Sequence, residues 1–506
     1  MTILFISNDP EAKNAPPPRL VTASRARRRG KTDFDLGKLP EQKQWPVQSV
    51  EFRVWQARES LLRALGMWER IAGPLAHCQG DARRKKLRVD IDEGTDLNAY
   101  YDRASLGYYH YRSKATGETR YFAASTDVVS HEAGHAFLDA MRPELWDSNF
   151  PEPNAFHEAF GDCVALLTAL SDIGTRRRVL QQDPKLGRKN FVETLIESLA
   201  NGIRDFDPKH NASKPRHGFN TYRWVLPGTL PDDGGPGVLI NEIHSFGQVF
   251  VGCFYDVVRN IFAMERKRDQ KTLLKCALRA GKLLVRGAIK APHTPRFFHA
   301  VGAAMTLEDA HLHAGKHHGA IRAAFRRHGI LLGSVAAVAP RAELRGRAPQ
   351  QKRARGGVAA ETLTDLRSRL GLSPRAALRM RTYDLGGRRV HEAVHQRAVP
   401  LTGLSPKLAN VVAHGSEPSL IGAANRRAAL LGPLPDMQTT HDEVRTFVAS
   451  LVRRRAIRYD GPKPAKKAGR GAVATVGMTT HAIVRENGQP VLKRMRFACG
   501  CCAKQR

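Results

Sequence analysis

Acidic residues are scarce in this chain. It has 48 Asp and Glu against 81 Lys and Arg, a net charge of +33 over 506 residues. Cysteine is sparse as well, and its odd count of seven excludes a fully paired disulfide framework. No apolar run approaches the roughly 18 residues of a membrane span, so no transmembrane segment is expected. Met1 to Asn8 offers only Ile3-Leu4-Phe5-Ile6 and no basic start. A secretory signal is therefore not recognisable, and the expected location is the cytoplasm or one reached by a non-classical route. Aromatics are thinnest in the last third, where Tyr383, Phe447, Tyr459 and Phe497 are all there are, too few for base-stacking platforms.

What is present suffices for a full core, since 42% of residues are hydrophobic, and the length predicts two or more domains. Residues 1–45, with Pro16-Pro17-Pro18 and the basic run from Arg25, read as a disordered leader. Residues 46–335 read as one domain, 336–360 as a basic linker and 361–506 as a small basic α+β domain. The segment 341–506 holds 32 Lys and Arg against 11 Asp and Glu, so 21 of the 33 excess positive charges lie there. A nucleic acid or an anionic surface is the partner such a region attracts, and a merely solubilising surface is the plainer alternative. Within it, Thr362 to Leu370 and Asp442 to Ile457 read as helices. Leu385-Gly386-Gly387 reads as a turn, and Asn487-Gly488 as the loop of a hairpin.

The chemistry is concentrated in His131-Glu132-Ala133-Gly134-His135. On a helix the two imidazoles share one face and can chelate one Zn²⁺, with Glu132 beside them in reach of a water. Ser125 and Thr126 supply capping hydroxyls, Asp127 is an anion in the first turn, and Pro143 marks the stop. A second helix, read as capped by Asn154, carries Phe156, Phe160, Val164 and Leu167 as an apolar stripe. Glu158 and Asp162 lie four apart on it. Glu158 can complete a metal site as third ligand, and Asp162 can fix the tautomer of a ligand histidine.

H-E-x-x-H followed by E-x-x-x-D on a second helix resembles the gluzincin metallopeptidases, the thermolysin and fungalysin types. Asp127-Val128-Val129-Ser130 ahead of the motif, and Asn98-Ala99-Tyr100-Tyr101 upstream, are similar to that family's segments. So are Ile203-Arg204-Asp205-Phe206-Asp207-Pro208 and Asn241-Glu242-Ile243-His244-Ser245-Phe246, and together the matches cover about residues 85 to 330. The resemblance implies a thermolysin-like α+β fold, with an edge-strand sheet followed by a mainly helical part. It implies peptide-bond hydrolysis by a zinc endopeptidase holding one zinc per chain, with a peptide or protein as substrate.

In that reading His131, His135 and Glu158 are metal ligands and Asp162 supports them. Glu132 is the general base acting on a zinc-bound water, and His244 donates to the oxyanion. Asn98 and Ala99 hold the substrate strand, while Arg204 binds a substrate carbonyl or else pairs with Asp207. The family's oxyanion tyrosine has no counterpart, since no tyrosine lies between Tyr121 and Tyr222 and Trp146 stands about where it would be. Ala169 replaces an expected calcium-binding glutamate, so no structural calcium is expected. The orienting aspartate ahead of His244 is displaced by a longer turn. The alternative is a catalytically weak scaffold of this type serving as a basic nucleic-acid or surface binder. Cys499-Gly500-Cys501-Cys502 stays open among metal ligation, a redox pair and a reactive tail of no defined role.

Overall fold

The computed structural model describes residues 2–25, 32–75, 77–78, 86–333, 340–341, 358–424, 427–460 and 479–500. Residues 26–31 of the expected leader, most of the linker, and Cys501 and Cys502 lie outside the described residues. The architecture is mixed α+β, 44% helical and 19% strand, with helices and strands largely in separate regions rather than alternating. No helix among the described residues is long and apolar enough to cross a membrane.

The leader does not stand as a disordered segment. Strands β1 (Thr2–Phe5) and β2 (Arg19–Thr22) pair antiparallel, and Ile3, Phe5 and Val21 are buried with Trp55. Each strand is too short to show a period in a Pro- and Arg-rich context, and its apolar residues count only once helix α1 (Val50–Ala72) lies beneath them. Gln56 of α1 accepts from the Ile6 amide at 3.0 Å and donates to the Ile6 carbonyl and to Thr126 Oγ1, each at 2.9 Å. Asp9 accepts from Ser125 Oγ at 2.7 Å and from the Ser198 amide at 3.1 Å. The first residues of the chain thus hold the start of the helix that follows Ser125.

A five-stranded sheet comes next. Its members are β3 (Asp33–Asp35), β4 (Lys86–Asp90), β5 (Ala99–Tyr101), β6 (Ser105–Tyr108) and the distant strand Phe497–Ala498. β3, β4 and β6 run parallel, β5 returns antiparallel beside β6, and Phe497–Ala498 pairs antiparallel with the far side of β5. Helix α2 (Thr126–Met141) begins at its Ser125 cap, whose hydroxyl accepts from the Val128 amide. Helix α3 (Pro151–Ser171) begins three residues before Asn154, with Pro151 in its first turn where a missing N–H costs nothing. Asn154 is therefore not a cap; its amide donates to the Ser148 and Phe150 carbonyls from inside the first turn.

The helical part continues with α4 (Ile173–Gln182), α5 (Glu197–Phe206), α6 (Ile243–Ala263), α7 (Gln270–Lys290), α8 (Phe297–His313) and α9 (His318–Arg327). α3 lies at the centre, fully buried, between α2 and α6. Trp68 packs on Phe137 and Phe160, and Phe156 meets Phe250 and Phe297 edge-on, contacts worth about 0.5–1.5 kcal/mol each beyond their buried area.

Beyond residue 358 the chain forms α10 (Ala360–Arg369), α11 (Met437–Arg453) and a second, mainly antiparallel sheet. Both two-residue hairpins occur where the glycines point. Leu385 pairs with Arg388 and Glu486 with Gln489, and the intervening residues all have positive φ. α11 lays Val444, Phe447, Val448 and Leu451 on this sheet, and Phe150 from the start of α3 is buried in the same cluster. The two regions are thus packed together. Part of the basic excess is engaged internally, because Arg381 binds Glu392 at 2.6 Å, Arg397 binds Glu417 at 2.5 Å and Arg494 reaches the Trp146 carbonyl at 3.0 Å.

Two stability effects are expected. Gln56→Ala removes three buried hydrogen bonds that join the N-terminal segment to α2 and should lower unfolding free energy by about 1–3 kcal/mol in denaturant melts. Burial, then the nearby Asp9 and Asp127 carboxylates, pushes the Glu197 carboxyl up to about 10. A carboxyl raised on folding stabilises fully only below its unfolded value, and that contribution is lost as pH climbs toward the folded one. Glu197→Gln keeps the neutral shape, so its melting-temperature advantage over the native chain should widen from about pH 6 to about pH 9; a constant difference would contradict this.

Candidate metal centre

α2 and α3 cross at two glycines. A Cβ built on Gly134 would lie 2.8 Å from the Gly161 Cα, and one on Gly161 would lie 2.7 Å from the His131 ring. Only glycine permits this approach, and it brings the histidines of α2 against the carboxylates of α3. His131 Nε2 is 3.3 Å, His135 Nε2 3.5 Å and His244 Nε2 3.1 Å from the same oxygen, Glu158 Oε2. Ligand atoms of His131, His135 and Glu158 all lie within 4.8 Å of one another, and all three residues are buried.

The surrounding bonds set the direction of each ring. His131 Nδ1 meets Asp162 Oδ1 at 2.8 Å, which turns Nε2 toward Glu158 Oε2 at 3.3 Å. Arg216 grips Asp162 with both guanidinium arms, at 2.9 and 2.8 Å. His135 shares a 3.0 Å hydrogen bond from Nδ1 to Nδ1 of His157. Burial, then His135, holds His157 well below the usual histidine range, so it is neutral and able to accept. Burial also lowers His135, to about 4, despite the Glu158 carboxylate. Burial raises Glu158, but His244, His135 and hydrogen bonds from His131 and His135 outweigh it and keep the carboxyl ionised, well below its ordinary value.

Two imidazoles facing an ionised carboxylate in a buried site are the donor set of a divalent cation such as zinc. Glu158 Oε1 is buried with no hydrogen bond among the described residues, as an oxygen that takes a ligand would be. Glu132 is fully buried on α2 next to His131. Burial lifts its carboxyl to about 7, although His131 pulls it down.

His244 stands in the first turn of α6, which Glu242 caps through the His244 and Ser245 amides at 2.9 Å each. Glu242 Oε1 also meets His244 Nδ1 at 2.7 Å. Burial raises Glu242, but His244 outweighs it and lowers the carboxyl to about 2. The task assigned by resemblance to a displaced aspartate is thus done by this glutamate, two residues before the histidine. Beside His244 and Arg216 opens a shallow cleft with an apolar wall of Leu195, Ile196, Leu199 and Ile203.

Of the residues singled out in sequence, the structure brings His131, Glu132, His135, Glu158, Asp162 and His244 together. Asn98 and Ala99 sit on the β5 edge facing the strand Phe497–Ala498, where the Ala99 carbonyl accepts from the Cys499 amide at 2.9 Å and Asn98 Oδ1 from the Gly500 amide at 2.8 Å. Arg204 lies apart from this cluster, exposed near the end of α5 and donating to Asn201 at 2.6 Å, while Arg216, on the short strand Arg216–His217, reaches the centre. No local pattern marks Arg216, whose role depends on that strand pairing with Thr194–Leu195. Trp146 is buried edge-on between Tyr101 and Phe497, and Arg103 covers its ring. His157 and Glu242 were also missed as site residues, adjacency to Glu158 and His244 being the only available signal, whereas metal ligation had been left open for Cys499. The Cys499 sulfur lies within 4.8 Å of His131 and Glu132, and of Glu158 and His244.

The chain matches no known protein-family model and no curated protein.

Removing the support of the ligands should weaken the centre without removing a ligand. Arg216→Ala and His157→Ala are each expected to lower zinc affinity by about 10–100-fold in a chelator competition, with Arg204→Ala unchanged. Equal affinities across all three variants would contradict the arrangement.

Proposed function

We propose that the chain is a zinc metallopeptidase of the gluzincin, thermolysin-like type, hydrolysing peptide bonds in a peptide or protein substrate with one zinc per chain. The observation that carries this reading is the convergence of His131, His135 and Glu158 beside a buried Glu132. When bound, zinc supplies Lewis acidity, which polarises a carbonyl and brings the pKa of a water to roughly 7. Glu132 takes the proton of the attacking water on its carboxylate and returns it to the leaving nitrogen. A carboxyl near pKa 7 is suited to both transfers.

His244 serves the carbonyl oxygen as charge builds on it. Glu242 at its Nδ1 holds the ring with Nε2 turned toward Glu158 Oε2 at 3.1 Å, where it can donate. The Asn98 side chain and the Ala99 carbonyl accept backbone N–H groups of a peptide lying antiparallel to β5, and so hold it extended. The cleft lined by Leu195, Leu199 and Ile203 favours an apolar substrate side chain next to the cleaved bond. Internal pairing of Arg381, Arg397 and Arg494 leaves fewer cations for the binding-scaffold reading, which no contact in the site favours.

The test is zinc-dependent cleavage of a quenched peptide library. Glu132→Gln is expected to keep the zinc and lose cleavage, and His244→Ala to lose about 10²–10³ in kcat with zinc retained. Cleavage by the Gln variant at the native rate would contradict the assignment.

A further inference from the structure

We infer that Cys499 is a fourth ligand of the metal held by His131, His135 and Glu158, and that Phe497–Gly500 is the resident occupant of the strand groove beside it. The inference rests on the zinc-site reading and goes beyond it, because it assigns the position that reading leaves open for substrate.

The placement is built from backbone and side chain alike. Phe497 pairs with Tyr101 and Ala498 with Tyr100, so this strand covers the edge of β5 that a peptide would use. The next two amides are satisfied by the Ala99 carbonyl and by Asn98 Oδ1, the acceptors expected to hold a substrate backbone. The Phe497 ring stacks on His157 with centroids 4.0 Å apart and on His135 at 4.7 Å, while its edge meets Trp146. Arg494 anchors the approach through the Trp146 carbonyl and the Asn154 side chain. With the backbone fixed on both sides, the Cys499 side chain has one place to go. Its sulfur joins two ligand groups, one with His131 and Glu132 and one with Glu158 and His244.

A buried cysteine is ordinarily a small apolar residue among apolar neighbours. Cys499 instead faces two imidazoles and two carboxylates, all buried. Thiolate is among the strongest protein ligands for zinc, and the Cys499 sulfur shares one ligand group with His131 and another with Glu158. On binding, the S–H bond breaks, the sulfur keeps the electron pair as its bond to the metal, and the proton passes to Glu132, the carboxylate beside it. Ligation and strand pairing then close the site together. A peptide reaches Asn98, Ala99 and the fourth metal position only after residues 497–500 lift from β5, a local opening of a two-residue strand rather than global unfolding.

The test uses the full chain loaded with cobalt(II) in place of zinc and reads the thiolate-to-cobalt charge-transfer absorption in the near ultraviolet. Native protein and the Cys501→Ser/Cys502→Ser double variant are expected to bind one cobalt and show the band. Cys499→Ser is expected to keep the cobalt, lose the band and cleave the quenched peptide faster than the native chain. Cobalt bound without a thiolate band in the native protein overturns the inference and leaves the His-His-Glu site standing. Absence of bound cobalt overturns both. Should Cys499→Ser fail to fold, the native and double-variant spectra still decide.

Discussion

The close approach of α2 and α3 at Gly134 and Gly161 is the constraint on which the rest depends. A methyl group at either position would meet the opposite backbone or the His131 ring at under 3 Å, so the two helices would be pushed apart. At this separation His131 and His135 on one helix face Glu158 and Asp162 on the other, and α6 closes the third side with His244. Everything polar at the centre is buried in consequence. Burial in turn governs the protonation states, with neutral His135 and His157, an ionised Glu158 and a Glu132 poised near neutrality.

Buried polar groups at this density would be destabilising without partners, and the fold supplies them in layers. Asp162 orients His131 and is itself held by Arg216, while Glu242 orients His244 and caps α6 with the same carboxylate. The N-terminal strands, through Gln56 and Asp9, fix the start of α2 and therefore the register of its histidines. Stability and site geometry are coupled here, since the bonds that start the histidine-bearing helix α2 also join the first residues of the chain to its core.

What could be read in the sequence followed from local spacing. Residues four apart on a helix share a face whatever surrounds them, so His131 with His135 and Glu158 with Asp162 were legible. Ser125 was legible as a cap, as were the glycine-marked hairpins at 386–387 and 487–488. What could not be read depends on partners far away in the chain. Arg216 reaches Asp162 from a two-residue strand that no local spacing announces, whereas Arg204 lies exposed on α5. The strands at 2–5 and 19–22 are apolar only in part and become a sheet through contact with Trp55. Asn154 looked like a cap because of its residue type, yet Pro151 had already begun the helix. The strand Phe497–Ala498 crosses the expected domain boundary to join a sheet formed nearly 400 residues earlier, and no spacing rule announces that.

The charge excess, conspicuous in composition, explains little of the site. Arginines from the basic region serve as structural ties, to Glu392, to Glu417 and to the turn after α2, while the candidate centre is built from a handful of buried acids and histidines. The most direct measurement is an anomalous-difference map recorded at the zinc edge from crystals of the purified full chain. The account predicts one peak at about 2.0–2.2 Å from nitrogens of His131 and His135 and an oxygen of Glu158. A zinc-supplemented crystal with no peak among these three residues would contradict it.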